Sequence, residues 1–402
     1  MRIAYLHGGS IPSFFANGVH VMRMCDAFTD AGHDVTLYSL PGTYTDQDPY
    51  TYYGVRHRFP IRLVPAPDYT PDGYRRRGED IRDLLTGDAV PDLLYARDPH
   101  TLAVTADLAP FVYEVHQLRR DLPDGAERAL LSHPRLARIV VVTHALAHDL
   151  RAAYPDLGTL PIEVAPDCAD PPDAATTSGP LPLPGRPDAP TIGYVGHLYD
   201  GRGIDLIIEL AGLLPAFDFH LVGGTTEDRA RWEESCPHPN LYFHGHRPPS
   251  ELHRYFPLFD VVLAPHQPKV YTWGRLDEIG RWTSPMKLFE YMAHGRAIVA
   301  SDLPVLREVL QDRVNCLLRP SDAPQAWADA LTELIADPRL RASLGDEARR
   351  QFLARYTWRH RADQVLAGLG PLGTGDLGAP ATGGAALSSA GRHAADTAAV
   401  ND

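Results

Sequence analysis

Short β-branched or aromatic runs alternate with amphipathic helical patterns through the first half of the chain. Strand, helix and strand repeated in this way predict a parallel sheet covered by helices on both faces. The loops at the carboxyl ends of its strands are then the place to look for a functional site. The predicted strands are residues 2–7, 34–39, 92–96, 111–115 and 138–143, and the clearest helices are residues 19–31 and 144–153.

A second alternating series begins after residues 166–190, whose Pro, Asp, Ala, Thr and Gly content is typical of an exposed linker. This series predicts a second α/β domain with its own parallel sheet. Its predicted strands are residues 191–195, 218–222, 241–244, 260–264, 297–301 and 316–318, and its clearest helices are residues 324–336 and 338–354.

The domain organisation follows from these two series. We predict an α/β protein with a doubly wound domain over residues 1–170, a linker over residues 171–190 and a second doubly wound domain over residues 191–356. A last helix is predicted within residues 357–370. Residues 371–402 are rich in Gly, Ala, Ser and Thr without periodicity, which predicts a disordered tail.

Composition removes several function classes. The 402 residues include 38 Lys and Arg against 51 Asp and Glu, a net charge of −13, so a nucleic-acid partner is not expected. The four cysteines are far apart and form no Cys-x-x-Cys pair, which fits a reducing compartment. We predict a cytoplasmic protein, because no secretion signal is visible and no apolar run approaches the roughly 18 residues of a membrane span.

A peripheral membrane contact is the most that the sequence allows. Arg75, Arg76 and Arg77 open a segment that could form an amphipathic helix against acidic lipid. A solvated helix face is the preferred interpretation, because the chain as a whole is acidic.

The most informative segment is Thr283-Ser-Pro-Met-Lys-Leu-Phe-Glu-Tyr-Met-Ala-His-Gly295. Ser284 suits a helix N-cap, Pro285 the first helical position and Gly295 the residue after the helix. Lys287 and Glu290 are three residues apart and therefore share one face.

The two ends of that face differ in chemistry. Lys287 lies in the predicted first turn, where free backbone N–H groups already favour an anion, so a diphosphate would fit. Glu290 is an acceptor-only carboxylate one turn deeper, suited to the paired hydroxyls of a ribose. The alternative is an ordinary Lys/Glu pair on a solvated face. Lysine at a helix start opposes the usual dipole preference, and the chain contains only one other lysine, Lys269. Both observations favour a functional lysine over the ordinary pair.

A second phosphate candidate is the turn Val195-Gly-His-Leu-Tyr-Asp-Gly-Arg-Gly203, between a predicted strand and a predicted helix. Backbone amides beginning near Gly196 can point at an anion there, and Arg202 can offer a bidentate fork. A purely structural turn is the alternative.

Three further features concern the first domain. His116 follows a predicted buried strand, where a structural histidine is the alternative to a functional one. Asn17 and Gly18 form a helix start or an acceptor-binding loop. Asp46-Gln-Asp48 has the spacing of a metal-binding Asp-x-Asp motif, but chance matches are common, and no metal site is predicted.

Taken together, these segments resemble family 4 of the retaining glycosyltransferases, whose two Rossmann-like domains form the GT-B fold. The likeness covers most of residues 1–369. Its strongest piece is Ser284-Pro-Met-Lys-Leu-Phe-Glu-Tyr-Met-Ala-His-Gly295, followed by Ala297-Ile-Val-Ala-Ser-Asp302, Val314-Asn-Cys-Leu-Leu318, Ala16-Asn-Gly-Val-His20 and Ala31-Gly-His-Asp-Val35.

The resemblance implies roles for individual residues. Glu290 would bind the ribose of a nucleoside-diphosphate sugar, with Arg202 and Lys287 on its diphosphate. His116 matches the histidine beside the donor sugar. The loop at Asn17 and Gly18 would face the acceptor, and the last helix would cross back to the first domain.

The sequence also departs from the family pattern. Trp282 stands where the family's Glu-x7-Glu pair would place a carboxylate, with Asp277 or Glu278 as possible substitutes. His197 stands where many members have Arg, which would remove a permanent positive charge from the phosphate site.

The sequence therefore predicts transfer of a sugar from a nucleoside-diphosphate sugar to a hydroxyl of a saccharide, lipid-linked or small-molecule acceptor, with retained configuration and without a cofactor or metal. Polysaccharide, glycolipid or natural-product glycan synthesis is the expected setting. The alternatives are a nucleotide-sugar epimerase and a non-catalytic nucleotide-sugar-binding subunit.

Overall fold

The computed structural model describes residues 1–42, 46–87, 90–118, 125–172, 181–272 and 277–370. Two parallel sheets form, one in each half of the chain. The predicted disordered tail over residues 371–402 lies outside the described residues. Within the described part, no helix has the length and apolar character needed to cross a membrane, and the cytoplasmic location stays a prediction.

The first sheet has seven parallel strands in the order β3-β2-β1-β4-β5-β6-β7. Chain order reverses direction beside β1, which creates a crevice at the carboxyl ends of β1 and β4. The strands are β1 (Arg2–Ile11), β2 (Asp34–Pro41), β3 (Ile61–Leu63), β4 (Leu93–Ala96), β5 (Phe111–Val115), β6 (Leu136–Val141) and β7 (Ile162–Val164). The helices are α1 (Ala16–Asp30), α2 (Pro49–Tyr53), α3 (Pro71–Gly87), α4 (Pro99–Thr105), α5 (Ala126–Leu131) and α6 (His144–Ala153).

The second sheet has six parallel strands in the order β10-β9-β8-β11-β12-β13. Its crevice lies at the carboxyl ends of β8 and β11 for the same reason. The strands are β8 (Thr191–Val195), β9 (Asp218–Val222), β10 (Leu241–Gly245), β11 (Val261–Ala264), β12 (Ala297–Ser301) and β13 (Leu317–Arg319). The helices are α7 (Ile204–Leu213), α8 (Thr226–Ser235), α9 (Met286–Ala293), α10 (Pro324–Ala336) and α11 (Pro338–Arg355).

The last helix, α12 (Trp358–Leu366), belongs to the core of the first domain although it follows the second in the chain. Trp358, Ala362 and Val365 are buried in the same apolar cluster as Val21 and Phe28 of the first domain. The crossing back that the family resemblance implied is therefore present in the structure.

The two crevices face each other. The rings of Phe14, after β1, and His197, after β8, have centroids 6.2 Å apart. At another point Tyr52 Oη lies 3.0 Å from His246 Nε2. The loops at the carboxyl ends of the two sheets therefore border a common cleft between the domains.

Candidate active site

Helix α9 begins one residue later than the sequence predicted. Pro285 is its N-cap, with an extended backbone, and Met286 is the first helical residue. The predicted capping role of Ser284 is therefore wrong. Its hydroxyl oxygen instead accepts the N–H of Asp167 at 2.9 Å, so the residue fixes the start of α9 against the segment that leaves the first domain. Gly295 does follow the helix end, with φ +60°.

Lys287 lies in the first turn of α9 and is only 8% exposed. Its ammonium lies over the ring of Tyr194, 3.8 Å from the ring centroid, and makes no hydrogen bond with any described residue. Burial, followed by repulsion from Arg202, holds the pKa of Lys287 well below its ordinary value. An anion at this point would relieve both effects.

Arg202 and Gly196 lie beside this lysine. A Cβ on Gly196 would lie 2.7 Å from Lys287 Nζ, so a larger residue here would displace the ammonium from this position. Arg202 places Nη1 3.3 Å from His266 Nε2, and its Nε is buried without a partner among the described residues. Desolvation lowers the pKa of Arg202 as well. Two cations thus share a site that contains unused donors.

His197 also borders this site, stacked on Tyr199 with ring centroids 4.6 Å apart. Desolvation, followed by the charges of Arg202 and Lys287, lowers the pKa of His197 to about 3. The imidazole is therefore neutral near pH 7, in agreement with the expected loss of a permanent charge at this position.

Glu290 lies one turn further along α9, where its surroundings differ from those of Lys287. Burial raises the pKa of Glu290 to about 7, although the charges of Arg23 and Lys287 oppose this shift. Arg23 belongs to α1 of the first domain and lies 2.7 Å from the carboxylate of Asp170. Glu290 therefore faces the boundary between the domains and changes charge near neutral pH.

His116 directly follows β5 on the opposite wall, where it joins a buried polar network. Its Nε2 lies 2.5 Å from Glu114 Oε1, and the same oxygen lies 2.7 Å from His20 Nε2. Arg361 of α12 donates to that oxygen at 3.1 Å, and His20 Nδ1 lies 2.6 Å from Asp167.

The charges within this network follow from its contacts. Burial by itself raises the pKa of Glu114, but Arg361, His20 and His116 outweigh it and hold that pKa well below the usual range. Desolvation, followed by the charge of Arg97, lowers the pKa of His116 to about 4. A neutral His116 that donates Nε2–H to Glu114 leaves Nδ1 as an acceptor.

Among the described residues, one group has the geometry of a metal site. Ligand atoms of His20, Glu114 and His116 lie within 4.8 Å of one another. They converge on one oxygen of Glu114, which already accepts a hydrogen bond from the guanidinium of Arg361. A fixed cation at that point opposes a second one. Hydrogen bonds of His116 and Arg361 with Glu114, and of His20 with Asp167, already hold these side chains in place, so we interpret the group as structural.

The predicted acceptor residues belong to the start of α1. The amide oxygen of Asn17 is buried without a partner in the described part of the chain. Gly18 packs against Tyr53, because a Cβ there would lie 2.5 Å from the Tyr53 hydroxyl. Gly18 thus has a packing role, and the role of the loop toward an acceptor stays a prediction.

Trp282 makes a contact between the domains. Its indole N–H donates to Asp149 of α6 at 2.8 Å, and Arg281 donates to the same carboxylate at 2.9 Å. The proposed substitutes, Asp277 and Glu278, are both exposed. Glu278 accepts the N–H of Gly280 at 2.8 Å, so its carboxylate has a structural role in that loop.

Two minor candidates also have structural roles. Asp48 caps α2 by accepting the N–H of Thr51 at 3.0 Å, and it also pairs with Arg58. On α3, Arg75 and Arg76 are exposed but pair with Asp72. Arg77 is fully buried and lies 3.0 Å from Asp98. These pairings favour the solvated helix face over a lipid-binding one.

Sequence analysis missed His7, His20, Arg97, Glu114 and Arg361. The strand pattern could have indicated Glu114. Residues two apart along a strand point to the same side, so Glu114 points to the side of His116, which was already a candidate. No comparable signal links Arg361 to the same place, since 247 positions separate it from Glu114.

Comparison with known proteins agrees with this architecture. A family model described as Glycosyltransferase Family 4 matches residues 18–171. A second, described as Glycosyl transferase-like, matches residues 204–367. The chain is 26% identical over 370 residues to the phosphatidyl-myo-inositol mannosyltransferase of Mycolicibacterium smegmatis, covering 86% of this chain and 88% of that protein. It is 27% identical over 294 residues to a D-inositol 3-phosphate glycosyltransferase of Stackebrandtia nassauensis, covering 67% and 61%.

Solved structures show the same fold at lower identity. Sucrose-phosphate synthase from Thermosynechococcus elongatus superposes with a TM-score of 0.69 at 18% identity, covering 90% of this chain and 97% of that one. Anabaena HepE in complex with UDP-glucose gives a TM-score of 0.65 at 14% identity, covering 92% and 99%.

Two facing Rossmann-like domains, a cleft between them and a last helix that returns to the first domain define the GT-B fold, and the family models and relatives show that the chain is a glycosyltransferase. Together with the family matches in both domains, they show that the chain belongs to glycosyltransferase family 4. The predicted fold class and enzyme class are therefore confirmed.

Proposed function

We propose that this enzyme moves a sugar from a nucleoside-diphosphate sugar to an acceptor hydroxyl with retention of configuration. The proposal rests on Lys287 and Arg202, two desolvated cations with donor atoms unused among the described residues. A diphosphate supplies the missing charge and the missing acceptors together. Glu290, one turn deeper on α9, would accept hydrogen bonds from paired ribose hydroxyls.

The same cations would act during the reaction. As the glycosidic bond breaks, its electron pair goes to the leaving phosphate oxygen and positive charge develops on the sugar ring. Lys287, Arg202 and the backbone amides at the start of α9 would stabilise the growing negative charge. The leaving phosphate oxygen then takes the acceptor proton while the acceptor oxygen bonds to the same face of the sugar. His116, neutral near pH 7, would border that sugar.

We propose that the transfer needs no divalent metal, because two cations of the chain already offset the phosphate charge. Activity that is unchanged in excess EDTA is the expected result. Full loss of activity in EDTA, with recovery on adding Mg²⁺ or Mn²⁺, would overturn this part of the proposal.

The acceptor is proposed to be a saccharide, a lipid-linked precursor or a small molecule, in polysaccharide, glycolipid or natural-product glycan synthesis. The names of the two relatives support a hydroxyl acceptor, since one is a phosphatidyl-myo-inositol mannosyltransferase and the other a D-inositol 3-phosphate glycosyltransferase.

The test begins with thermal unfolding of the full chain in the presence of UDP-, GDP- and dTDP-sugars. A donor that binds only the folded state raises the unfolding midpoint. Product analysis with and without acceptor then separates the functions: a transferase needs the acceptor, whereas an epimerase converts the donor alone. Tight donor binding without release of nucleoside diphosphate across an acceptor panel would indicate a binding subunit instead.

A further inference from the structure

Arg97 lies at the carboxyl edge of the first sheet, directly after β4. Its backbone N–H donates to the carbonyl of Leu6 in β1 at 3.1 Å. Because β4 lies between β1 and β5, Arg97 is flanked by His7, within β1, and by His116, directly after β5. Burial lowers the pKa of both histidines, and the positive charge of Arg97 lowers it further in each.

This guanidinium has no carboxylate partner among the described residues. Its Nη1 is closed to solvent and lacks a hydrogen-bond acceptor there. The carboxylate of the next residue, Asp98, lies 3.0 Å from Arg77, and the carboxylate beside His116, Glu114, lies 3.1 Å from Arg361. A buried donor left without an acceptor is destabilising, and the structure retains this donor beside the cleft.

His7 provides an independent observation at the same place. It is 2% exposed, and its Nε2 also lacks a partner in the described part of the chain. Burial, followed by the charges of Arg97 and Arg77, holds the pKa of His7 well below its ordinary value. The imidazole is therefore neutral and can donate one hydrogen bond.

Gly9 leaves the space in front of this histidine. A Cβ on Gly9 would lie 2.6 Å from His7 Nε2 and 3.1 Å from Asn17 Nδ2. The amide oxygen of Asn17 is buried and unpartnered as well. His7 and Asn17 therefore present polar atoms around Gly9 that no described residue satisfies, a donor at His7 and an acceptor at Asn17, and the charge of Arg97 acts on His7 at the same place.

We propose that Arg97 and His7 form a subsite for an anionic group, a phosphate or carboxylate carried by the acceptor or by the transferred sugar. The planar guanidinium presents the donor geometry that both groups accept in bidentate fashion. Its position beside His116 places the anion next to the transfer site, so the inference rests on the proposed function. The subsite belongs to the first domain, opposite Lys287 and Arg202 of the second.

The first experiment measures binding of inorganic phosphate, glucose 6-phosphate, glucuronate and glucose to the full chain by calorimetry, at constant ionic strength. We expect the anionic compounds to bind at least about tenfold more tightly than glucose. Arg97→Gln should remove that preference, and Arg97→Lys should retain part of it. Arg62→Gln is the matched control, because Arg62 is exposed on the edge strand β3. Thermal unfolding shows whether each variant folds.

Lys287→Ala separates this subsite from the donor site. Glucose 6-phosphate binding that is lost in Arg97→Gln and kept in Lys287→Ala supports the proposal. The reverse pattern assigns the phosphate to the donor site and overturns it, as does wild-type binding no tighter for the anions than for glucose. If nucleotides do not bind, or bind Lys287→Ala as tightly as the parent chain, the result instead counts against the proposed function.

A second arm identifies the source of the anion. If the transferred sugar carries it, Arg97→Gln weakens UDP-glucuronate binding about tenfold and leaves UDP-glucose unchanged. If the acceptor carries it, both nucleotides bind Arg97→Gln normally and only glucose 6-phosphate binding falls. Equal weakening of all compounds, including glucose and UDP-glucose, would indicate a structural role for Arg97 and overturn the proposal.

Discussion

The guanidinium of Arg361 lies 3.1 Å from the carboxylate of Glu114, across 247 positions of the chain. Both side chains are closed to solvent. The same carboxylate oxygen lies 2.5 Å from His116 at the cleft. The last helix, which follows the second domain, therefore helps to position a residue of the candidate active site in the first.

Arg361→Met should destabilise the protein by about 3–5 kcal/mol, because it leaves the buried Glu114 carboxylate without its cation. Urea unfolding followed by tryptophan fluorescence measures this cost. Arg359→Met on the same helix is the matched control, since Arg359 pairs with Asp30 at the surface and should cost at most about 1 kcal/mol. Equal costs for the two variants would contradict a special role for the buried pair.

Lys287→Met should raise the unfolding midpoint of the ligand-free protein, because it removes a desolvated ammonium without a hydrogen-bond partner among the described residues. The same change should weaken nucleoside-diphosphate binding by at least about tenfold. Calorimetric unfolding with and without UDP or GDP measures both effects. Lys269→Met changes an exposed lysine and should alter neither quantity. An anion site is excluded if Lys287→Met binds nucleotide like the parent protein.

Glu290→Gln should change how stability depends on pH. The pKa of Glu290 is about 7 in the folded state against an ordinary 4.5, so the folded state holds this proton more tightly. Its contribution to stability is present below about pH 4.5, falls as the pH rises toward 7 and stays lost above it. The variant should therefore gain up to about 3 kcal/mol relative to the parent between pH 5 and 8.

Urea unfolding at several pH values checks this expectation. Glu209→Gln replaces an exposed carboxylate of α7 and should show no such trend. A constant difference between Glu290→Gln and the parent across the pH range would show that the carboxyl is not desolvated.

Trp282→Glu should lower stability rather than restore a missing catalytic group. The new carboxylate would replace the indole that donates to Asp149 at 2.8 Å and would repel that carboxylate. Trp282→Phe removes only the N–H donor and should cost about 1 kcal/mol. Initial rates measure the activity of both variants, and urea unfolding measures their stability. A higher turnover number in Trp282→Glu would instead place position 282 at the reacting sugar.

Much of the fold could be predicted from local patterns. The predicted limits of β5, β8, β9, β12, α6 and α10 are those of the structure. Short elements such as β3 and β7 were missed, because three residues at a sheet edge carry too little hydrophobic pattern to predict a strand. The start of α9 was misplaced because the hydroxyl of Ser284 binds the backbone of Asp167, a partner 117 positions away.

The sequence by itself determined the two parallel sheets, the helix that carries Lys287 and Glu290, and the glycine at position 196, because periodicity, turn chemistry and short motifs are local properties. Only the tertiary structure decided that Glu114 joins Arg361 to His116, that Trp282 contacts Asp149, and that Arg97 and His7 retain donors without described partners. Partner choice for a buried polar group depends on which distant segments pack around it, and no local pattern records that arrangement.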